Sequence, residues 1–261
     1  MTLACTLGAS AAWADEAADP YAGIHTVAIV SALGDVLTLK HDNGFLGSRP
    51  PESVLDTRAH LDDFVTAQIA QALAGRFTIV DGAVDPALLS GGALPREVAA
   101  KLHPLRAGGT GPDAIVFVHP ITVEHQLDQK YFTVRYSISG MSASLTTGWL
   151  GNHTILFSTL YEVVAIDAHT GRILGGAKAQ SPATGIFGNR AEPVETCDYA
   201  FWPQPQDDPS PDQLLQIGAE MHAIVGASLP NALQGAHLTA QGNDIKPKQW
   251  DGRPLLCHEM G

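Results

Sequence analysis

The sequence has few charged residues and no cluster of basic ones. Charged residues make up 16% of the 261 positions, and the first Lys or Arg is Lys40. The formal net charge is −12. Because phosphate backbones and anionic lipid headgroups are recognised by basic surfaces, this balance argues against a nucleic-acid partner.

Long apolar runs are missing as well. No stretch approaches the roughly 18 uninterrupted apolar residues of a transmembrane helix, so we expect no membrane span in the mature chain. Residues 1–14 are small and apolar and end in Ala12-Trp13-Ala14, the pattern of small residues that signal peptidase reads. We predict a signal peptide over residues 1–14 and export to the periplasm. The absence of a basic residue in front of it indicates a true start codon further upstream.

Only three cysteines are present, and Cys5 falls inside the predicted signal peptide. Cys197 and Cys257 remain as an even pair, and the periplasm is oxidising. We therefore expect a disulfide that tethers an irregular tail, residues 239–261, to the segment before the last helix. Two free thiols are the alternative.

The apolar content, in contrast, is high. Hydrophobic residues make up 45% of the chain, beside 26 Gly and 17 Pro, which indicates a packed domain with ordered loops. We predict one domain over residues 15–238. Its first half reads β-α-β-α-β, because short apolar runs alternate with helical patterns: strands at Ile24–Ser31, Phe77–Val80 and Ala114–His119, and helices at Val54–Ala74 and Pro95–Leu102.

The second half predicts an antiparallel three-strand meander and a C-terminal helix, so the fold class is mixed α/β (α+β). The predicted strands are Tyr131–Ser139, Thr154–Asp167 and Arg172–Ala179. For the helix, Ser210 is a good N-cap, Pro211 suits the first position and Gln213 completes a capping box. Pro230 is expected to bend or restart this helix.

Catalytic and metal-binding motifs are incomplete. Gly34-Asp35 is followed by Val36, where a GDSL-type esterase has its nucleophilic serine. A metallophosphoesterase would need further carboxylates around this dipeptide, and Ser228 lacks the second glycine of a nucleophile elbow. The 11 histidines form no His-x-x-x-His pair. We therefore predict no catalytic residues, no metal and no cofactor.

The carboxyl ends of the predicted parallel strands are the best place for a small-molecule site. Ligands of open α/β sheets bind there, and those ends carry Ser31, Asp35, Asp81 and His119. The alternative is that the aspartates simply cap turns.

A second candidate surface is the segment Gly140–Asn152, predicted as a loop between two antiparallel strands. It carries bulky apolar residues, which are costly on a surface loop unless covered and are favoured at protein contacts: Met141, Leu145, Trp149 and Leu150. One interpretation is a partner-binding loop. The other is a segment that folds back on its own sheet or forms a longer hairpin with one buried face.

Three segments, Val27–Asp35, Asp167–Gly171 and Ala227–Leu233, resemble a family of uncharacterised exported proteobacterial proteins. The order of elements is similar, more loosely, to the amino-terminal domain of TolB, to CsgG-like secretion proteins and to lipoprotein activators of penicillin-binding proteins. The resemblance implies a non-catalytic role in the cell envelope through contacts with another envelope protein. The alternative is a periplasmic hydrolase or small-ligand-binding protein that uses groups at the strand ends.

Overall fold

The computed structural model describes residues 19–42, 52–81, 111–129, 132–147, 153–179, 194–197, 202–203 and 208–239. The described residues form two five-stranded mixed sheets, a two-stranded ribbon and two helices, so the predicted α/β class is confirmed. Neither of these helices is long and apolar enough to cross a membrane.

The strands and helices follow one another along the chain in this order: β1 (Thr26–Ser31), β2 (Val36–Asp42), β3 (Glu52–Asp56), α1 (Leu61–Leu73), β4 (Thr78–Ile79), β5 (Ala114–Pro120), β6 (Thr122–Gln129), β7 (Phe132–Ser139), β8 (Met141–Thr147), β9 (His153–Thr159), β10 (Tyr161–Asp167), β11 (Ile173–Lys178), β12 (Val194–Cys197) and α2 (Pro211–Gly235).

The first sheet has the strand order β11-β10-β5-β1-β4. Strand β1 runs parallel to β4 and β5, whereas β10 is antiparallel to both β5 and β11. The second sheet has the order β12-β9-β8-β2-β3, in which only β2 and β8 are parallel neighbours. The ribbon joins β6 and β7.

The main core lies between the first sheet and the two helices. Alternate residues of its strands point into this core, as Val27, Val116 and Val163 do, and the intervening residues form a second apolar cluster on the opposite face. The second sheet contributes to the same main core through Leu37 and Leu39 of β2.

Helix α1 begins seven residues later than the sequence pattern predicts. Its buried residues are four positions apart and face the core: Leu61, Val65, Ile69 and Leu73. The predicted start at Val54 is wrong, since Glu52–Asp56 forms strand β3 beside β2. The apolar pair Val54-Leu55 reads equally well as either element when taken alone.

Helix α2 begins as the sequence predicts. Ser210 Oγ accepts a hydrogen bond from the Gln213 N–H, and Gln213 Oε1 accepts one from the Ser210 N–H. Pro230 lies inside the helix without ending it, and the helix continues to Gly235. The capping box therefore determines the start of α2 correctly.

The middle of the chain differs from the predicted meander. The predicted strand Thr154–Asp167 is two strands, β9 and β10, which belong to different sheets and are separated by Leu160. The Leu160 N–H bonds to the Gly140 carbonyl, and the Leu160 carbonyl accepts from the Ile121 N–H. The chain thus passes between the two sheets here, a long-range arrangement that no local pattern encodes. The β10–β11 hairpin forms with its turn at Asp167–Gly171, as expected.

Strands β2, β3, β6 and β12 were not predicted, because they contain polar residues or lie in Gly- and Pro-rich surroundings. The predicted helix Pro95–Leu102 lies outside the described residues. So does Cys257, and the disulfide with Cys197 of β12 stays a prediction.

The end of α2 is held against β11 and the N-terminal turn. The Tyr21 hydroxyl donates to the Ala236 carbonyl at 2.6 Å, and Arg76 donates to the carbonyls of His237 and Leu238. The same guanidinium pairs with Asp19. These bonds satisfy the carbonyl of Ala236, the C-cap residue, and the carbonyls of the two residues that follow it.

Gly175 of β11 makes this close packing possible. A Cβ atom there would overlap the Ala236 carbonyl oxygen and stand 2.8 Å from the Tyr21 hydroxyl, whereas a Cβ at Gly176 would meet only ordinary contacts, the nearest at 3.6 Å.

We therefore expect Gly175→Ala to lower the free energy of unfolding by about 2–3 kcal/mol through overpacking. Gly176→Ala, on the same strand, is the matched control and should cost less than about 1 kcal/mol. Denaturant unfolding of both variants measures the difference. Equal losses would mean that the contact between α2 and β11 does not require glycine.

Candidate functional site

Ser31 ends β1 and its side chain points toward α1. Its hydroxyl donates to Asp62 Oδ1 at 2.5 Å, and the backbone N–H groups of Leu33 and Gly34 donate to the same carboxylate at 2.8 and 3.1 Å. Gly34 has φ of 68°, the left-handed region in which glycine is unstrained. Asp62 thus organises the turn that leaves β1.

Asp35 completes this arrangement from the other side. Its Oδ1 accepts the Leu61 N–H at 2.9 Å, which caps the first turn of α1, and its carbonyl accepts both the N–H and the hydroxyl of Thr57. The two aspartates therefore exchange roles: Asp35, in the turn, bonds to the helix, and Asp62, in the helix, bonds to the turn. We call this arrangement the aspartate lock.

The segment between β3 and α1 is strained and clamped. Arg58 and His60 have φ of 52° and 50°, which is unfavourable for residues with a side chain. Helix α2 holds this segment, because a ring nitrogen of His222 lies 2.7 Å from the Ala59 carbonyl and the His222 ring stacks on Phe64 with centroids 4.4 Å apart.

Asp81 and His119 do not join Ser31 and Asp35. Asp81 is exposed and lies two positions beyond Ile79, the partner of Val27, so it is level with the middle of β1 rather than with Ser31. His119 follows Val118, the residue paired with Ser31, so strand alternation turns it to the opposite face of the sheet. The structure therefore brings together only Ser31 and Asp35, and both are engaged in hydrogen bonds within the chain.

His119 is buried beside Glu162, its direct cross-strand partner on β10. The His119 Nε2 atom stands 3.8 Å from Glu162 Oε2 and makes no hydrogen bond, while Nδ1 lies 3.2 Å from the Pro120 carbonyl. On its other side Glu162 pairs with Lys178 of β11. The described residues contain no cluster of three or more potential metal ligands.

Asp62→Asn should lower the free energy of unfolding by about 2 kcal/mol. The carboxylate accepts hydrogen bonds from three donors through two oxygens, whereas the asparagine amide has only one acceptor oxygen. Asp63→Asn is the matched control, since it removes the same charge from the same helical turn at an exposed position. We expect it to cost less than about 0.5 kcal/mol. Thermal and denaturant unfolding measure both variants, and a similar loss for the two would rule out the lock as a stabilising element.

The predicted partner-binding loop is in part a strand. Met141 is the first residue of β8 and is buried in the main core, and Leu145 lies within β8, in register with Ile155 of β9. Residues 141–147 therefore form a central strand between β2 and β9, which corrects the loop prediction. The physical reason is that the Ser/Thr-rich alternation suits a pleated strand. Trp149 and Leu150 lie outside the described residues.

His41 is a buried titratable group that the sequence reading missed. It follows Leu37 and Leu39 on the core-facing side of β2, and its Nε2 has no hydrogen-bond partner. Burial lowers the pKa of His41 below its ordinary value of 6.5, since the charged ring loses its hydration. Alternation with two leucines is the only sequence signal that marks it.

This burial gives the stability a pH dependence of known sign. Below pH 6.5 His41 becomes protonated in the unfolded chain, whereas in the folded chain it becomes protonated only at a lower pH. The free energy of unfolding therefore falls as the pH falls through this window. The slope is at most about 1.4 kcal/mol per pH unit for one proton. His41→Leu should flatten the profile between pH 6.5 and 5, whereas a change at exposed His25, such as His25→Gln, should not. If the slope of unfolding free energy against pH is unchanged in His41→Leu, other titratable groups cause the pH dependence.

The outer side of the β2–β3 hairpin exposes apolar side chains. Val54 is 71% exposed and Val36 is 50% exposed. Val54 pairs with Thr38 and Val36 pairs with Asp56, so the two valines are diagonal neighbours on one face. We call strand β3, together with the exposed side chains of Val54 and of Val36 on β2, the β3 edge.

Comparison with known proteins identifies no family. No protein-family model matches the sequence, and no curated protein matches it. Among solved structures, the hypothetical protein CT253 from Chlamydia trachomatis matches over 79% of this chain and 98% of that chain, with 12% identity and a TM-score of 0.24. A score this low supports no argument about fold or function.

Proposed function

We propose that this protein is a non-catalytic accessory protein of the cell envelope, exported to the periplasm, which acts by binding another protein. The observation that carries the proposal is the β3 edge, where Val36 and Val54 lie exposed next to each other. Exposed neighbouring apolar side chains at the border of a sheet favour protein contacts.

The aspartate lock supports the same proposal. Ser31 and Asp35 stand where an α/β enzyme or ligand-binding protein would hold its ligand. Here each of them bonds to backbone or side-chain groups of the chain itself. Binding a ligand through them would release the turn and the cap of α1. The alternative function, a hydrolase or small-ligand-binding protein, therefore has less support at these residues.

Site-specific photo-crosslinking in cells tests the proposal. A photoreactive residue at Val54, and another at Trp149 in the segment that the sequence predicts as a partner-binding loop, should each be compared with one at Leu215. Leu215 is the matched control, because it is 73% exposed but lies on α2. We expect a discrete adduct from Val54 that Leu215 does not give.

Two outcomes would count against the proposal. The absence of an adduct at both Val54 and Trp149 would reject a stable protein partner. The same set of adducts at Leu215 would show only random collision.

A further inference from the structure

The hydrogen-bonding pattern of the β2–β3 hairpin determines which backbone groups face outward. The Thr57 N–H bonds to the Asp35 carbonyl, so positions 35 and 57 form a hydrogen-bonded pair. In an antiparallel ladder such pairs alternate with pairs that make no hydrogen bond to each other. Positions 37 and 55 are therefore bonded to each other, whereas Val54 and Thr38 are not.

It follows that the N–H and carbonyl of Val54 point away from β2. Strand β3 is the last strand of its sheet, and the described residues place no strand on its outer side. The Val54 side chain is exposed as well. An edge with free backbone groups and an exposed apolar side chain is the arrangement to which an extended peptide adds as a further strand.

Asp56 gives one end of this edge a negative charge. It is exposed on the same face as Val54, two positions along the strand, and the chain as a whole carries a net charge of −12. Lys40 of β2 lies on this face at the other end of the hairpin, opposite position 52. A strand added beside β3 would place its residues two positions apart on this face. Opposite charges directly across two strands stabilise the pairing.

We propose that the β3 edge binds an extended basic segment of a partner protein by strand addition. The segment carries a β-branched or aromatic residue opposite Val54 and a Lys or Arg two positions away, opposite Asp56. This inference rests on the proposed function, since it names the surface and the chemistry of the partner.

A second copy of this chain fits the edge less well. A two-fold pairing of β3 with itself around Val54 places position 56 of one copy opposite position 52 of the other. Both positions are acidic, and like charges directly opposite each other destabilise a strand pair. The net charge of each copy adds a further repulsion.

The direct test uses a dye-labelled peptide of sequence Thr-Lys-Thr-Val-Thr-Lys-Thr and fluorescence anisotropy at low ionic strength. We expect the full chain to bind it, and to bind a version with Glu in place of both Lys at least about tenfold more weakly. Amide resonances of β3 should shift on binding. Failure of the Lys peptide to bind, or equal binding of the Glu peptide, would overturn the proposed partner chemistry.

Val54→Pro isolates the backbone contribution. Proline is tolerated at an edge position whose N–H does not bond to the neighbouring strand, so the variant should fold with a near-wild-type unfolding midpoint. It should bind the Lys peptide about tenfold more weakly, because it lacks the outward donor. Val54→Thr keeps the N–H and is the matched control, with an expected loss of about threefold or less. Equal affinity of Val54→Pro and Val54→Thr would overturn strand addition.

Asp56→Asn tests the charge and keeps an acceptor for the Arg58 N–H, which Asp56 Oδ1 now accepts at 3.2 Å. We expect this variant to bind the Lys peptide about threefold more weakly and to show a smaller salt dependence of binding. An unchanged salt dependence would contradict the proposed role of Asp56. A concentration-dependent dimer that Val54→Pro abolishes would instead show a second copy at this edge and overturn the proposal.

One further comparison separates this inference from the proposed function. A photoreactive residue at Val36 should be placed in the wild-type and Val54→Pro backgrounds. Loss of its adduct in the proline background supports strand addition. An adduct that persists there would overturn strand addition while leaving a protein-binding function in place.

Discussion

The aspartate lock is the interaction on which the rest of the fold depends. Strand β1 belongs to the first sheet and β2 to the second, so the turn after Ser31 must carry the chain from one sheet to the other. Asp62 holds this turn against α1, and Asp35 holds the start of α1 against the turn. Charged acceptors bind backbone N–H groups more strongly than neutral ones do, and negative charge also suits a helix N-terminus. One local arrangement thereby fixes two sheets and a helix relative to one another.

The same arrangement determines the chemistry of the β3 edge. The Asp35 carbonyl bonds to Thr57, and this bond sets the register of β3 against β2. A slip of one residue would turn Val54 inward and Leu55 outward, because side chains alternate along a strand. The strained backbone at Arg58 and His60 follows immediately, since β3 must stop and α1 must begin within four residues. The clamp from His222 keeps this short connection in place.

The sequence predicted those elements whose signals are local. The start of α2 follows from Ser210, Pro211 and Gln213, and the apolar run of β5 is unambiguous. The aspartate lock could not be predicted in the same way, because Ser31 and Asp62 are 31 positions apart and nothing in the spacing shows that they meet. The sequence pattern ends the first strand at Ser31, where β1 ends, and Asp35 lies in the turn that follows. It could not place His119 on the opposite face of the sheet, since that depends on the register between β1 and β5. The break at Leu160 was missed for a similar reason, as its partners Gly140 and Ile121 are remote in sequence.

An open sheet edge is a hazard that proteins usually limit, and β3 shows two of the usual limits. It is only five residues long, and it carries acidic residues. These features discourage pairing between copies of a chain that is itself acidic, but they do not discourage a basic strand from another protein. The exposed Val54 has no role in the internal packing that the structure describes, and a polar residue there would reduce the hazard. An edge that disfavours its own copy while keeping an apolar side chain at its centre has the properties that the proposed partner of opposite charge requires.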